Sequence, residues 1–177
     1  MFTIAGMIGR PSANEFDPYF TTYIGKVAGD DPLAAMHRQM EEWTPVLEGI
    51  AEERTLDRYA AGKWTMREVL NHLVDTERIF AYRALWFARR FEGALQGFDQ
   101  DVGVFGARAD AIAWTSLIEE FKQVRAATAI LFQHLPTEAW MRAGVANQKR
   151  MTVRAIAFII PGHAEHHLRM LRERYLK

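Results

Sequence analysis

The sequence contains no cysteine, which excludes disulfide bonds, thiolate zinc sites and a cysteine nucleophile. It also has no excess of charge of one sign, because 22 basic residues balance 22 acidic ones and the formal net charge is zero. A neutral chain has no overall attraction to nucleic acid or to an anionic membrane. No uncharged run approaches the ~20 residues of a membrane span. We therefore expect neither nucleic acid nor membrane as a partner.

The composition is that of an ordinary globular protein, with 49% apolar and 25% charged residues. A length of 177 residues predicts one domain, residues 1–177, with a substantial core. Residues 1–9 are apolar but short and lack a basic region, so they do not predict a signal peptide, and we expect a cytoplasmic protein. Prolines and aromatic residues in 1–29 predict an irregular N-terminal arm that packs on the rest of the domain.

Four long segments have apolar residues at the helical steps of three and four, at about residues 32–52, 65–91, 113–134 and 153–175. Three of them carry start signals: Asp-Asp-Pro before the first, a capping box of Thr65 with Glu68, and Thr152 before the fourth. Residues 93–106 are rich in glycine and predict a connecting loop, and residues 136–151 predict a second irregular connection. Because no segment has a convincing strand pattern, the sequence predicts an all-α four-helix bundle.

Three of the six histidines lie within five residues, in Gly162-His163-Ala164-Glu165-His166-His167. On a helix, His163 and His167 share one face and lie roughly 6 Å apart. Two such imidazoles can hold a divalent ion, which takes nitrogen ligands at about 2.0–2.1 Å. His166 points away from His163, on the other side from His167. It is therefore predicted to support the site, to line a substrate pocket, or to be exposed.

His72 lies on the inward stripe of the second predicted helix, between Val69 and Leu73. A single buried histidine is more often a satisfied core residue than a ligand. Three inward histidines on two long helices make a shared metal site an equally good interpretation, because bundles build metal sites from facing helices. Three neutral nitrogen ligands leave open positions on the ion, where a bound water or thiol would have a lowered pKa. Imidazole ligands suit Zn, Ni, Fe or Mn.

Glu68, one turn before His72, is a candidate general base, although its capping box is the simpler interpretation. Asp75 and Glu77 could orient an imidazole only if they face the bundle interior. His37 and His134 are predicted to be surface residues. Phosphate loops, nucleophile elbows and His-Glu-x-x-His are absent. The Glu-x-x-His of di-iron bundles is also absent, which argues against a dinuclear carboxylate site.

The segment Lys63-Trp64-Thr65-Met66-Arg67-Glu68-Val69-Leu70-Asn71-His72-Leu73-Val74-Asp75-Thr76-Glu77-Arg78 resembles a helix signature of the DinB/YfiT-like superfamily. Gly97-Phe98-Asp99-Gln100-Asp101 and the terminal histidine motif are similar to further hallmarks of its second DinB-like branch. The resemblance extends over nearly the whole chain, and the order and spacing of the motifs make it specific.

This resemblance implies an up-down-down-up four-helix bundle that commonly forms homodimers. It also implies a divalent metal, often nickel or zinc, held at the positions that correspond to His72, His163 and His167. Some members of the superfamily are S-transferases that use a low-molecular-weight thiol, and others are similar to metal-dependent hydrolases or isomerases.

Three hypotheses follow. The first is a metal-dependent S-transferase that joins a low-molecular-weight thiol to a small electrophilic substrate in detoxification or stress response. In this hypothesis the electrophile meets a pocket around residues 98–101, which includes Asp99 and Asp101. The second is a metal-dependent hydrolase with Glu68 as base, and the third is a non-enzymatic metal-binding module of the stress response.

Overall fold

The computed structural model describes residues 8–177. The expectations for residues 1–7, the first part of the predicted arm, lie outside this range. The described chain forms these elements in order: α1 Thr21–Ile24, α2 Pro32–Glu48, α3 Met66–Ala88, α4 Gln100–Ala107, α5 Trp114–Gln133, β1 Ala143–Ala146, β2 Lys149–Thr152 and α6 Val153–Arg174. No helix within residues 8–177 combines the length and the apolar character needed to cross a membrane.

The four long helices α2, α3, α5 and α6 form a bundle, which confirms the predicted fold class. Each of α2 and α3 packs against both α5 and α6, so the order around the bundle is α2, α5, α3, α6. This order places α3 beside α6, the two helices that carry the candidate histidines.

The predicted start signals are present in the structure. The side chain of Asp31 accepts hydrogen bonds from the first turn of α2, and that of Thr152 accepts one from Ala155 in α6. Thr65 and Glu68 form the expected capping box at the start of α3. Two helix ends come earlier than predicted: α2 ends at Glu48, where Gly49 caps it, and α3 ends at Ala88.

The glycine-rich segment 93–106 was predicted to be a loop, but it contains most of α4. The carboxylate of Asp99 accepts hydrogen bonds from the backbone N–H groups of Asp101 and Val102 and so caps this helix. Gly103 and Gly106 lower the intrinsic helix propensity but do not prevent a short exposed helix, because the cap satisfies its first donors.

The prediction that residues 136–151 are irregular, with no strand, was also wrong. β1 and β2 form an antiparallel hairpin in which Ala146 pairs with Lys149. The two residues between them, Asn147 and Gln148, both have positive φ values of 49° and 60°. Two-residue hairpin turns need this left-handed backbone, which Asn-Gly supplies more often than Asn-Gln does, so the turn signal was weak.

The core consists of two apolar clusters with a polar layer between them. Phe80 of α3 and Phe158 of α6 belong to one cluster, and Leu70 of α3 and Leu168 of α6 belong to the other. Along every long helix, buried polar side chains lie between the residues of the two clusters: Gln39 in α2, Thr76 and Glu77 in α3, Arg125 and Thr128 in α5, and His163 in α6.

Hydrogen bonds join this layer across all four helices. Arg125 binds Glu77 through its Nε and Nη2 atoms, at 2.8–3.0 Å, and donates from Nη1 to the Gln39 side chain at 2.8 Å. Gln39 in turn donates to Glu165 Oε2 and to the Pro161 carbonyl oxygen of α6, each at 3.0 Å. Buried charges are tolerated only with partners of this kind.

The described part of the N-terminal segment packs against α6. Arg154 of α6 forms an ion pair with the buried Glu15, and Thr152 donates to the same carboxylate at 3.0 Å. Burial alone would raise the pKa of Glu15, but the hydrogen bonds and the positive charge of Arg154 outweigh it and the pKa is lowered. The short helix α1 then crosses α6 at Gly162, where an added Cβ would lie 2.0 Å from the Tyr23 carbonyl oxygen. Only glycine therefore allows this approach.

Glu77→Gln should lower the free energy of unfolding by about 3–5 kcal/mol, because it leaves the buried Arg125 guanidinium without a counter-charge. Urea denaturation measures the loss. The control is the double variant Glu77→Met with Arg125→Met, which removes both charges and should lose much less. A single variant within about 1 kcal/mol of wild type would contradict this role of the ion pair.

Gly162→Ala should destabilise the protein by about 1–3 kcal/mol, because the new methyl group displaces the backbone of α1 at Tyr23. Thermal and urea unfolding measure the effect. Gly103→Ala is the matched control, since an added Cβ at Gly103 of α4 meets no atom within 4 Å. That change should be neutral or stabilising, and equal effects of the two substitutions would contradict the close approach.

Candidate metal centre

His72 of α3 meets His163 and His167 of α6 where the two helices pack together. Their ligand nitrogen atoms all lie within 4.8 Å of one another. The Nε2 atoms of His72 and His163 are 3.2 Å apart. Within residues 8–177, no other group of three or more His, Cys, Asp or Glu side chains converges in this way.

The donor atoms suit one divalent metal ion. Nitrogens at 2.0–2.1 Å from one ion lie about 3–3.4 Å from each other at right or tetrahedral angles, and the 3.2 Å separation falls in this range. The Nδ1 atom of His167 is buried, and no residue of 8–177 bonds it. Because a buried polar atom without a partner is costly, the unbonded nitrogen of His167 supports a bound group at this position that residues 8–177 do not supply.

All three imidazoles are held in the neutral form that binds metals. Burial lowers the pKa of His72 to about 4. Burial, followed by the nearby His72 and His166, lowers the pKa of His167 to about 3. For His163, burial and then the neighbouring His167 place the pKa well below its ordinary value. Since only a deprotonated imidazole nitrogen can bind a metal, protons do not compete for the triad at neutral pH.

Two aromatic side chains, Tyr23 and Trp64, pack against the histidines of the triad. The Trp64 ring lies 4.9 Å from the ring of His72 and is stacked 6.5 Å from that of His167. The Tyr23 ring packs edge-on against His163 at 5.3 Å. Burial, and then the neighbouring Tyr19, raise the pKa of Tyr23 to about 12, so its phenol keeps its proton.

A cavity of about 270 Å³ opens beside the triad. His72 and His163 form part of its lining, together with Thr76, whose hydroxyl oxygen lies 3.4 Å from His72 Nδ1. The remaining lining is aromatic, amide or basic: Tyr19, Phe20, Tyr23, Phe80, Arg83, Phe98, Gln100, Asn147 and Lys149. An ion held by the triad would therefore face a space of the size that small molecules occupy.

The other predicted site residues lie outside this lining. Glu68 accepts hydrogen bonds from the Thr65 N–H at 2.7 Å and from Arg58 at 2.8 Å, which are capping and surface contacts. Asp99 and Asp101 are exposed beside the cavity, and their neighbours Phe98 and Gln100 line it instead.

The remaining histidines and acids do not join the triad. His166 is half-buried beside it, with its ring 5.0 Å from that of His167. His37 and His134 are exposed. Glu77 faces the interior but binds Arg125, and Asp75 accepts a hydrogen bond from Asn71, so within residues 8–177 neither acid is hydrogen-bonded to an imidazole.

Tyr23, Trp64, Arg83 and Lys149 were not predicted as site residues. Arg83 had a signal, since it is a charged residue on the apolar stripe of the second predicted helix, where a polar side chain needs an explanation. Trp64 stands just before the Thr65 cap and so close to His72. Tyr23 and Lys149 come from distant segments, and no local pattern connects them to the histidines.

Comparison with known proteins adds to this picture. The family model of the DinB superfamily matches residues 35–171. Among solved structures, YfiT from Bacillus subtilis is described as "a probable metal-dependent hydrolase with an unusual four-helix bundle topology". It superimposes with a TM-score of 0.70 at 14% sequence identity, covering 92% of this chain and 89% of YfiT. No protein among those with curated functions matches the chain.

The likeness to YfiT shows a shared fold, since the two sequences are only 14% identical. The family match is broader evidence, because it spans most of the chain and includes both helices of the histidine triad. The protein belongs to the DinB superfamily.

Proposed function

We propose that this protein is an enzyme that depends on a divalent metal ion held by His72, His163 and His167. The observation that carries the proposal is the cavity, because two of the three histidines, His72 and His163, line a 270 Å³ space instead of lying in a sealed core. A non-enzymatic metal-binding module would need no such space. Three nitrogen donors suit nickel or zinc, and iron or manganese are the alternatives.

The proposed reaction is transfer of a low-molecular-weight thiol to a small electrophile, in detoxification or stress response. When bound, a divalent ion lowers the pKa of a thiol or water beside it. With its S–H proton released to solvent, the sulfur would attack an electrophilic carbon, and a carbon–sulfur bond would form as the leaving group departs with its electron pair. No carboxylate of residues 8–177 lines the cavity, which supports this chemistry, because a thiol of lowered pKa can release its proton to solvent without a general base nearby.

Hydrolysis is the second candidate, and the description of YfiT as a probable metal-dependent hydrolase favours it. Glu68 is the carboxylate that sequence analysis offered as a base. Its contacts with Thr65 and Arg58 would have to break before it could serve. The thiol reaction requires no such rearrangement, and we therefore place it first.

A homodimer remains a prediction from the family resemblance. The exposed helix α4 presents Val102 and Phe105, which are 69% and 87% exposed, and large apolar side chains of this exposure support contact with a second copy.

Protein purified without a metal-affinity tag should contain one divalent ion per chain by elemental analysis. The triple variant in which His72, His163 and His167 are replaced by alanine should contain no bound metal, because it lacks every proposed ligand. His37→Ala with His134→Ala is the control, since both residues are exposed, and this variant should keep the metal. Unchanged metal content in the triple variant would eliminate the assignment of the site.

Incubation of the metal-loaded protein with a thiol and an electrophile should yield the sulfur conjugate, whereas panels of amides and esters should remain intact. Mass spectrometry of the products distinguishes the two reactions. Metal removal by a chelator should stop conjugation, and adding the ion back should restore it. Cleavage of an ester or amide without any conjugate would reject the transferase in favour of the hydrolase.

A further inference from the structure

Arg83 of α3 is a buried cation without an acidic partner. Arg83 is only 4% exposed, yet no carboxylate of residues 8–177 lies within 4.0 Å of its guanidinium. A guanidinium has five N–H donors. Within residues 8–177, the Arg83 guanidinium has one hydrogen-bond acceptor, the Gln96 carbonyl oxygen at 3.3 Å. Its other donors face the cavity that Arg83 lines, where an anionic partner would stabilise the charge.

Arg125 shows how the same fold treats a buried arginine that is structural. It is 3% exposed, and it has a bidentate partner in Glu77 and a further acceptor in Gln39. Arg83 instead lies over the ring of Phe80, 4.9 Å from its centroid, and 5.7 Å from that of Phe98. Aromatic rings hold the guanidinium in place but do not neutralise it.

Arg83 lines the same cavity as His72 and His163. A second cation, Lys149 of β2, also lines it, with Asp17 3.6 Å away and the Tyr19 ring centroid at 4.8 Å. Among residues 8–177, no aspartate or glutamate belongs to the lining. Asp17 offsets part of the charge of Lys149, but the guanidinium of Arg83 has no such partner within residues 8–177, and a cation in a concave site with apolar walls attracts a small anion.

We propose that Arg83, assisted by Lys149, binds the oxyanion group of a small organic acid, which is a carboxylate, a phosphonate or a phosphate ester. The planar guanidinium matches the two oxygens of such a group. The oxyanion group would be one end of the ligand, and the other end would reach the triad. For that second end, the inference rests on the proposed function. His72 and Arg83 are eleven residues apart on one face of α3, or about 16 Å along the helix axis. The Arg83 side chain reaches back over Phe80 toward His72, and the acid group and the reacting group would therefore occupy different parts of one cavity.

The first experiment uses the metal-free protein, so that it does not depend on the proposed enzyme activity. The probes are hexanoate, hexylphosphonate, hexanol and hexylamine at constant ionic strength, and NMR titration measures their affinities. The two anions should bind about tenfold to a hundredfold more tightly than the alcohol, as expected for hydrogen bonds to a charged group. Binding of either anion supports the site, and the tighter one identifies the group it prefers.

Arg83→Met should abolish the preference for anions. This variant leaves no orphaned carboxylate, so we expect it to fold, and circular dichroism checks that. Arg89→Met is the matched control, because it removes the same charge from an exposed position outside the cavity lining. Arg83→Lys keeps the charge without the planar pair of donors and should retain part of the preference. Equal affinity of wild type for acid and alcohol, or full anion preference in Arg83→Met or Arg83→Lys, would overturn the proposal.

The second experiment separates this inference from the proposed function. Cobalt-loaded protein is titrated with mercaptohexanoate and with mercaptohexanol, and the visible absorption of cobalt reports contact with sulfur. Tighter binding of the acid, lost in Arg83→Met, supports both proposals. Anion binding to the metal-free protein without any sulfur signal contradicts only the thiol function. A sulfur signal of equal strength for both thiols, with no anion binding to the metal-free protein, contradicts only the anion site.

Discussion

The ion pair between Arg125 and Glu77 fixes the arrangement of the four helices. Both side chains lie in the interior, where each charge would be very unfavourable alone, and their hydrogen bonds extend through Gln39 to α6. An apolar interface tolerates small sliding movements between helices, but a polar layer of this kind does not, because a shift of one turn would leave charges unpaired. The register of α6 against α3 is thereby set, and that register brings His163 and His167 to His72.

The metal centre and the cavity have complementary electrostatics. Burial keeps the three imidazoles neutral, and neighbouring histidines further lower the pKa of His163 and His167, so the centre adds no charge until an ion binds. Beyond it, Arg83 and Lys149 make the cavity basic, although the chain as a whole has no net charge. Net charge does not predict this local field, which arises because the cavity lining formed by residues 8–177 has basic but no acidic side chains.

The features that the sequence predicts correctly are those that depend on neighbouring residues. The Thr65–Glu68 capping box and the Thr152 cap located the starts of α3 and α6, and the spacing of four between His163 and His167 placed both on one helical face. The features that were predicted wrongly or missed depend on specific caps, turns and contacts between distant segments. The caps of α4 outweighed its glycines, and the hairpin used an Asn-Gln turn that has no strong signature. The approach of Tyr23 to α6 depends on Gly162, whose importance appears only when the two segments meet.

Three imidazoles from two helices are proposed to hold one metal ion that keeps open coordination positions. X-ray absorption at the edge of the bound metal tests this proposal most directly, because imidazole rings give a characteristic multiple-scattering pattern that carboxylates and water lack. The account predicts about three imidazole nitrogens near 2.0–2.1 Å, with further light ligands completing the coordination sphere. A spectrum with one imidazole or none, or a closed shell of protein ligands, would contradict it.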